Sequence, residues 1–202
     1  MDAPSVSSDD AAEARRATRD WLAPVARRPL PVTIAAAAVV ALLAWRIGPR
    51  PDLAAFVLLG VVAVLLAVID AELKRLPDPL TLPSYPAGVA LLGLAAPFTE
   101  DGGARLLHAL LGMAALWLLY AVQWFLVPGQ LGFGDVKLAG VLGLYLGWLG
   151  PAAALTGVLA IHVTGGLYAL GLLITRRAGL RTQIPFGPFM LLGTLIAVLV
   201  HA

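Results

Sequence analysis

Seven apolar runs dominate this chain and leave it few ways to fold. They are about Leu30–Trp45, Leu53–Ile69, Leu80–Phe98, Ala104–Leu126, Leu138–Leu149, Ala152–Thr175 and Ile184–Val200. They make the 202-residue sequence 60% hydrophobic and only 13% charged. A soluble globule has no use for that much apolar side chain. Long apolar stretches with few charges read as transmembrane helices. The expected fold is therefore all-α, a polytopic membrane helix bundle of about seven transmembrane helices. The first run is short for a hydrocarbon core of about 30 Å, but Arg28 and Arg46 can snorkel from its ends. The fifth is also short, and must begin near Asp135 and end at Pro151. Gly150-Pro151 alone separates the fifth run from the sixth, so a tight hairpin is expected there. The alternative is one broken helix.

Residues 1–29 read as a polar cytosolic tail without fixed structure, and residues 30–202 as the membrane domain. Ser8-Asp9-Asp10 could cap a short helix through Arg19, although a frayed tail is the plainer reading. The first apolar run begins too late for a cleaved signal peptide and reads as a retained span. There are no cysteines, which excludes disulfides and thiolate metal sites. The scattered His108, His162 and His201 offer no zinc-like spacing. Neither a cofactor, a metal nor a nucleic-acid partner is expected.

The net charge of +2 matters less than where the charges lie. With a cytosolic N-terminus, the inner segments hold Arg15, Arg16, Arg19, Arg27, Arg28, Lys74, Arg75, Lys137, Arg176, Arg177 and Arg181. The outer segments hold Arg46, Arg50 and Arg105, which completes the fourteen basic residues. Positive charge accumulates on the cytoplasmic side of membrane proteins, so this orientation is the expected one. It puts two acids on the same, cytosolic side. Asp70 closes the second run, and Asp135 opens the fifth. Carboxylates at the edge of hydrocarbon are costly and usually have a job. Two of them side by side cannot both ionise easily, so the pair holds one proton, the arrangement of an aspartic protease.

Each acid has an informative setting. After Asp70 the chain reads Ala71-Glu72-Leu73-Lys74-Arg75-Leu76-Pro77-Asp78-Pro79-Leu80-Thr81-Leu82-Pro83. Pro77 and Pro79 keep Asp70 and Asp78 off one regular helix. Asp78 then reads as a helix N-terminal cap or dipole partner, and Glu72, Lys74 and Arg75 as a solvated rim. Asp135 lies in Gly132-Phe133-Gly134-Asp135-Val136-Lys137-Leu138. Gly132 and Gly134 allow tight turns and close backbone approach, and Asp135 would sit near the positive end of a helix dipole. Lys137 reads as a snorkelling cation, with a weaker case for tuning the acid pair. Ala139, Gly143 and Gly147 recur every four positions, a ridge on which another helix can pack closely.

Together these segments resemble the prepilin peptidases, or type IV leader peptidases, within the wider Gly-x-Gly-Asp intramembrane aspartyl proteases. The resemblance covers about Leu53 to Val200. It rests on Asp70 followed by Pro77 to Pro83, on Gly132 to Leu138, and on a late Pro185-Phe186-Gly187-Pro188-Phe189 stretch. It implies that Asp70 and Asp135 are the catalytic pair. Asp78, Gly132, Gly134, Lys137, Pro185 and Gly187 are supporting positions by the same resemblance. The late stretch is expected to break or kink the start of the last helix near the site, which membrane depth tolerates only under cover of protein or water.

The resemblance further implies a substrate: a prepilin or pseudopilin precursor with a short basic leader ahead of an apolar helix. The cut falls at the cytosolic face of a bacterial plasma membrane, typically after a glycine. Membrane lipid is the other expected partner, with Arg75, Arg176 or Arg181 able to meet its phosphates. Longer family members carry paired cysteines in an N-terminal region associated with methylating the new N-terminus. This sequence has no cysteine, so peptidase activity without methyl transfer is expected. The competing reading is a small proton- or cation-coupled transporter using the same two aspartates. Transporters often show internal repeats and a midplane site, and this sequence shows neither. His108, Gln123 and His162, the other polar candidates inside spans, read as packing residues.

Overall fold

The computed structural model describes residues 20–127, 129, 131–175 and 185–202. The proposed cap at Ser8-Asp9-Asp10, the basic residues Arg15, Arg16, Arg19, Arg176, Arg177 and Arg181, and the expected start of the last run at Ile184 lie outside the described residues. Among the described residues the regular structure is wholly helical: α1 (Ala23–Arg27), α2 (Pro29–Ile47), α3 (Leu53–Leu73), α4 (Asp78–Ala95), α5 (Gly102–Leu126), α6 (Phe133–Leu149), α7 (Pro151–Ile174) and α8 (Gly187–His201). Short 3₁₀ turns precede α1 at Asp20–Leu22 and follow α4 at Ala96–Phe98. The end of the tail is thus helical where a frayed chain was expected. Pro24, in the first turn of α1, is buried there, and a proline at that position loses no helical hydrogen bond.

Every apolar run of the sequence is a helix, but not every helix is of spanning length. α2, α3, α4 with its following turn, α5 and α7 are long and apolar enough to cross a membrane. α6 and α8 have only 17 and 15 residues. At a rise of 1.5 Å per residue they reach about 25 Å and about 22 Å. Among the described residues, five helices meet the length and apolarity of a span. The reason is plain for α6, which lies inside the bundle. From Asp135 to Trp148 every residue but Lys137 is buried. A helix enclosed all round by protein needs no lipid-facing length.

The ridge of small residues on α6 is its seam with α5. A Cβ built on Gly112 of α5 would lie 2.5 Å from the Gly143 carbonyl oxygen and 2.9 Å from the Gly147 Cα. Only residues without side chains let the two backbones meet this way. α6 and α7 are separate helices, joined at Gly150 with φ +112° and ψ 172°, a conformation almost confined to glycine. The turn makes the hairpin that the sequence indicated.

One end of the bundle is tied by polar contacts. Asp52, only 1% exposed, accepts from Arg50 Nε and Nη2 at 3.1 and 2.9 Å and from Trp148 Nε1 at 2.8 Å. These bonds join the start of α3 to the end of α6. Arg46 donates to the carbonyls of Leu199, Val200 and Ala202 at 2.7, 3.2 and 2.6 Å. It was expected to snorkel to the membrane surface. Instead it satisfies carbonyls at the end of α8, which lack helical partners and carry the negative end of the dipole. Arg28, also expected to snorkel, lies 3.5 Å from Glu72.

Candidate active site

At the opposite end, three chain segments far apart in sequence converge. α3 delivers Asp70 in its last turn, and the helix stops at Lys74, whose φ of 52° is left-handed. Asp70 is 4% exposed. Its Oδ2 accepts the Gly187 N–H at 3.0 Å. Gly187 is the first residue of α8, and amides in the first turn of a helix have no intrahelical acceptor. The late stretch starts its helix as expected, with Pro185 and Phe186 outside it, and thereby leaves one amide free for Asp70. A side chain at that point would crowd the carboxylate. A Cβ on residue 187 would lie 2.7 Å from Asp70 Oδ2.

Asp135 is the third residue of α6 and 8% exposed. Its Oδ2 accepts the Gly132 N–H at 3.0 Å, so the side chain reaches back to the residue before the helix, as in half of a capping box. Gly134 has a separate task. A Cβ there would lie 3.1 Å from Leu76 Cβ and 3.6 Å from Leu76 N. The first turn of α6 therefore leans directly on the α3–α4 connection, where Leu76 is buried. This contact brings the two acid-bearing segments together at one end of the bundle. Each has one oxygen held by a backbone amide.

Asp78 and Lys137, read from the sequence as separate features, pair with each other. Lys137 Nζ donates to Asp78 Oδ1 and Oδ2 at 2.7 and 2.9 Å. Asp78 does lie in the first turn of α4, but its side chain makes no cap, the N-cap position being Pro77. Lys137 is likewise no lone snorkelling cation, and its Nζ also lies 5.3 Å from the Phe133 ring centroid. The pair clamps the start of α4 to the start of α6. Glu72 of the expected solvated rim is the partner of Arg28 described above.

Two tyrosines beside these segments escaped the sequence reading. Tyr85 of α4 donates to the Lys137 carbonyl at 2.6 Å, lying over Gly140, where a Cβ would collide with its hydroxyl. Tyr120 of α5 is completely buried. Its ring centroid lies 6.1 Å from His162 and 6.3 Å from Phe186. The sequence signal for Tyr85 was its place just after the Pro77–Pro83 stretch, whereas nothing local marks Tyr120. His162 bonds the Val158 carbonyl at 2.8 Å and stacks edge-on with Phe186, in keeping with a packing residue. Among the described residues no group of three or more His, Asp or Glu side chains is arranged to hold a metal ion.

The chain is similar to known proteins over most of its length. The prepilin leader peptidase/N-methyltransferase of Aeromonas hydrophila is 34% identical over 183 residues, which is 90% of this chain and 61% of the relative. That of Pseudomonas putida is 34% identical over 181 residues, covering 86% of this chain and 58% of the relative. That of Burkholderia pseudomallei is 37% identical over 150 residues, or 71% and 46%. The chain thus spans less than two thirds of the length of these relatives. No solved structure matches it significantly. Residues 56–201 match the type IV leader peptidase family. That stretch includes both aspartates, the Lys137–Asp78 clamp and the Gly187 amide, and on this match and these relatives the chain belongs to the type IV leader peptidase family.

Proposed function

We propose that this chain is a membrane aspartyl endopeptidase that removes the short basic leader from type IV prepilin and pseudopilin precursors. The observation that carries the reading is that Asp70, in the last turn of α3, and Asp135, in the first turn of α6, stand at the same end of the bundle, where Gly134 packs on Leu76. Each is nearly buried, and each is held through a single oxygen by a backbone amide. The other oxygen of each is left for chemistry. Two interacting carboxylates hold one proton between them. The ionised member takes a proton from water, and the water oxygen bonds to the scissile carbonyl carbon. The protonated member gives its proton to the carbonyl oxygen. Collapse of the tetrahedral intermediate breaks the C–N bond, and the amine leaves with a proton from the dyad. No covalent enzyme intermediate forms.

The end that holds the aspartates also carries Arg28, Lys74, Arg75 and Lys137, whereas Arg46 and Arg50 lie at the other. That asymmetry supports a cytosolic site in a bacterial plasma membrane. A leader bearing positive charge would then meet the site where it emerges from the cytosol, with the precursor's apolar helix remaining in the bilayer. The transporter reading gains nothing from the geometry, since both acids lie at one end rather than at a midplane. The relatives' names carry N-methyl transfer as well. The lack of cysteine in these residues supports leader removal alone.

Co-expression with a prepilin precursor tests the reading. The wild type should remove the leader, seen as a mass loss without the increment of a methyl group. Asp70→Asn and Asp135→Asn should each leave the precursor intact. Cleavage that survives either substitution would sink the dyad.

A further inference from the structure

Tyr120 carries a buried side-chain polar atom with no hydrogen-bond partner, which is unique among the described residues. A buried hydroxyl without a partner is costly, and native proteins keep few of them. Its location gives it a use. The ring touches Phe186, the residue just ahead of the Gly187 amide that holds Asp70. The charge of Asp135 acts on Tyr120 as well. The hydroxyl thus sits near the acid-bearing end of the bundle, yet it is bonded to neither carboxylate.

Tyr120 sits on α5, a helix that supplies no other residue to the site. α5 is locked against α6 by the glycine seam, so Tyr120 is carried on a rigid element. Its ring packs in one cluster with His162 of α7 and Phe186, the three centroids 6.1, 6.3 and 6.2 Å apart. A donor fixed in this way, with nothing to donate to, is prepared for an acceptor that arrives with substrate. During peptide hydrolysis negative charge develops on the scissile carbonyl oxygen, and donors aimed there stabilise the transition state more than the ground state. The dyad already supplies the proton transfers, so the O–H bond of the tyrosine need not break.

We infer that Tyr120 is a catalytic hydrogen-bond donor that receives the scissile carbonyl oxygen as that carbon becomes tetrahedral. The inference rests on the peptidase reading given above and deepens it.

The test is steady-state cleavage by the full chain in lipid, using a peptide that spans the leader and the start of the apolar helix. Tyr120→Phe keeps the ring and removes only the donor. Its kcat should fall about 100-fold, with KM unchanged within about twofold and the thermal midpoint of unfolding kept. A peptide with a hydroxyethylene group in place of the scissile bond should lose affinity for Tyr120→Phe, while the cleaved product peptide binds as before. Ring fluorination of Tyr120 preserves its shape and makes the hydroxyl more acidic, and it should change kcat even if the phenylalanine variant does not fold. A Tyr120→Phe enzyme with the wild-type kcat would overturn the inference. So would a loss confined to KM or to thermal stability, which would mark a packing role. A wild type that neither cleaves precursor nor binds the isostere overturns the peptidase reading itself. That failure is visible before any substitution is made.

Discussion

Gly187 and Asp70 are 117 positions apart, and the amide of one donates to the carboxylate of the other at 3.0 Å across a distance too short for any side chain on residue 187. One helix ends there and another begins, and the bond fixes the carboxylate between them. Gly187→Ala should therefore displace Asp70 without unfolding the bundle, since the new methyl would meet the flexible end of an aspartate. A misplacement of about 1 Å at a reacting group can cost about 100-fold in rate. We expect a fall in kcat of that order with the unfolding temperature nearly kept. Leader cleavage and thermal unfolding measured on the same preparation check it, and an alanine variant with full activity would show that the bond is dispensable.

The Lys137–Asp78 clamp should be weak despite its short distances. The Asp78 side chain is 53% exposed and that of Lys137 23%. Exposed pairs contribute about 0.2–1 kcal/mol because water screens them. Asp78→Asn, Lys137→Met and the double variant should form a cycle with a coupling energy no greater than about 1 kcal/mol. A coupling of several kcal/mol would mean that lipid or substrate dries the pair in the working enzyme.

The far end of the bundle allows stability to be separated from catalysis. Trp148→Phe removes one donor from buried Asp52 and leaves Arg50 as its partner. Losing a hydrogen bond to a buried charged group costs about 1.5–3 kcal/mol. The melting temperature should fall while kcat at low temperature stays at the wild-type value, because this cluster lies at the other end of α6 from Asp135. A matching loss of kcat would show that the two ends are coupled through α6.

Much of the architecture is legible in the chain. Among the described residues each apolar run coincides with one helix from α2 to α8, and Gly150-Pro151 marks the hairpin. The distribution of basic residues groups Asp70 with Asp135 on one side, and in the structure both stand at one end. The length of each helix was less legible. Hydropathy measures how apolar a segment is, and a helix buried in protein, such as α6, is as apolar as one buried in lipid. Side-chain partners were less legible still. Arg46 and Lys137 both read as snorkelling cations because a sequence does not show which carbonyl or carboxylate a long flexible side chain will find.

By itself the sequence determined which segments are helical, because the length and spacing of apolar runs are local properties that a membrane environment turns directly into helices. It also determined where glycine and proline would interrupt them. Only the tertiary structure decided that the Gly187 amide would meet Asp70, that Leu76 would pack on Gly134, and that the Tyr120 hydroxyl would be left without a partner. Each of these depends on how whole helices cross. The crossings are set by packing across seams such as Gly112 against Gly143 and Gly147, where the decisive contacts join residues that no local pattern relates.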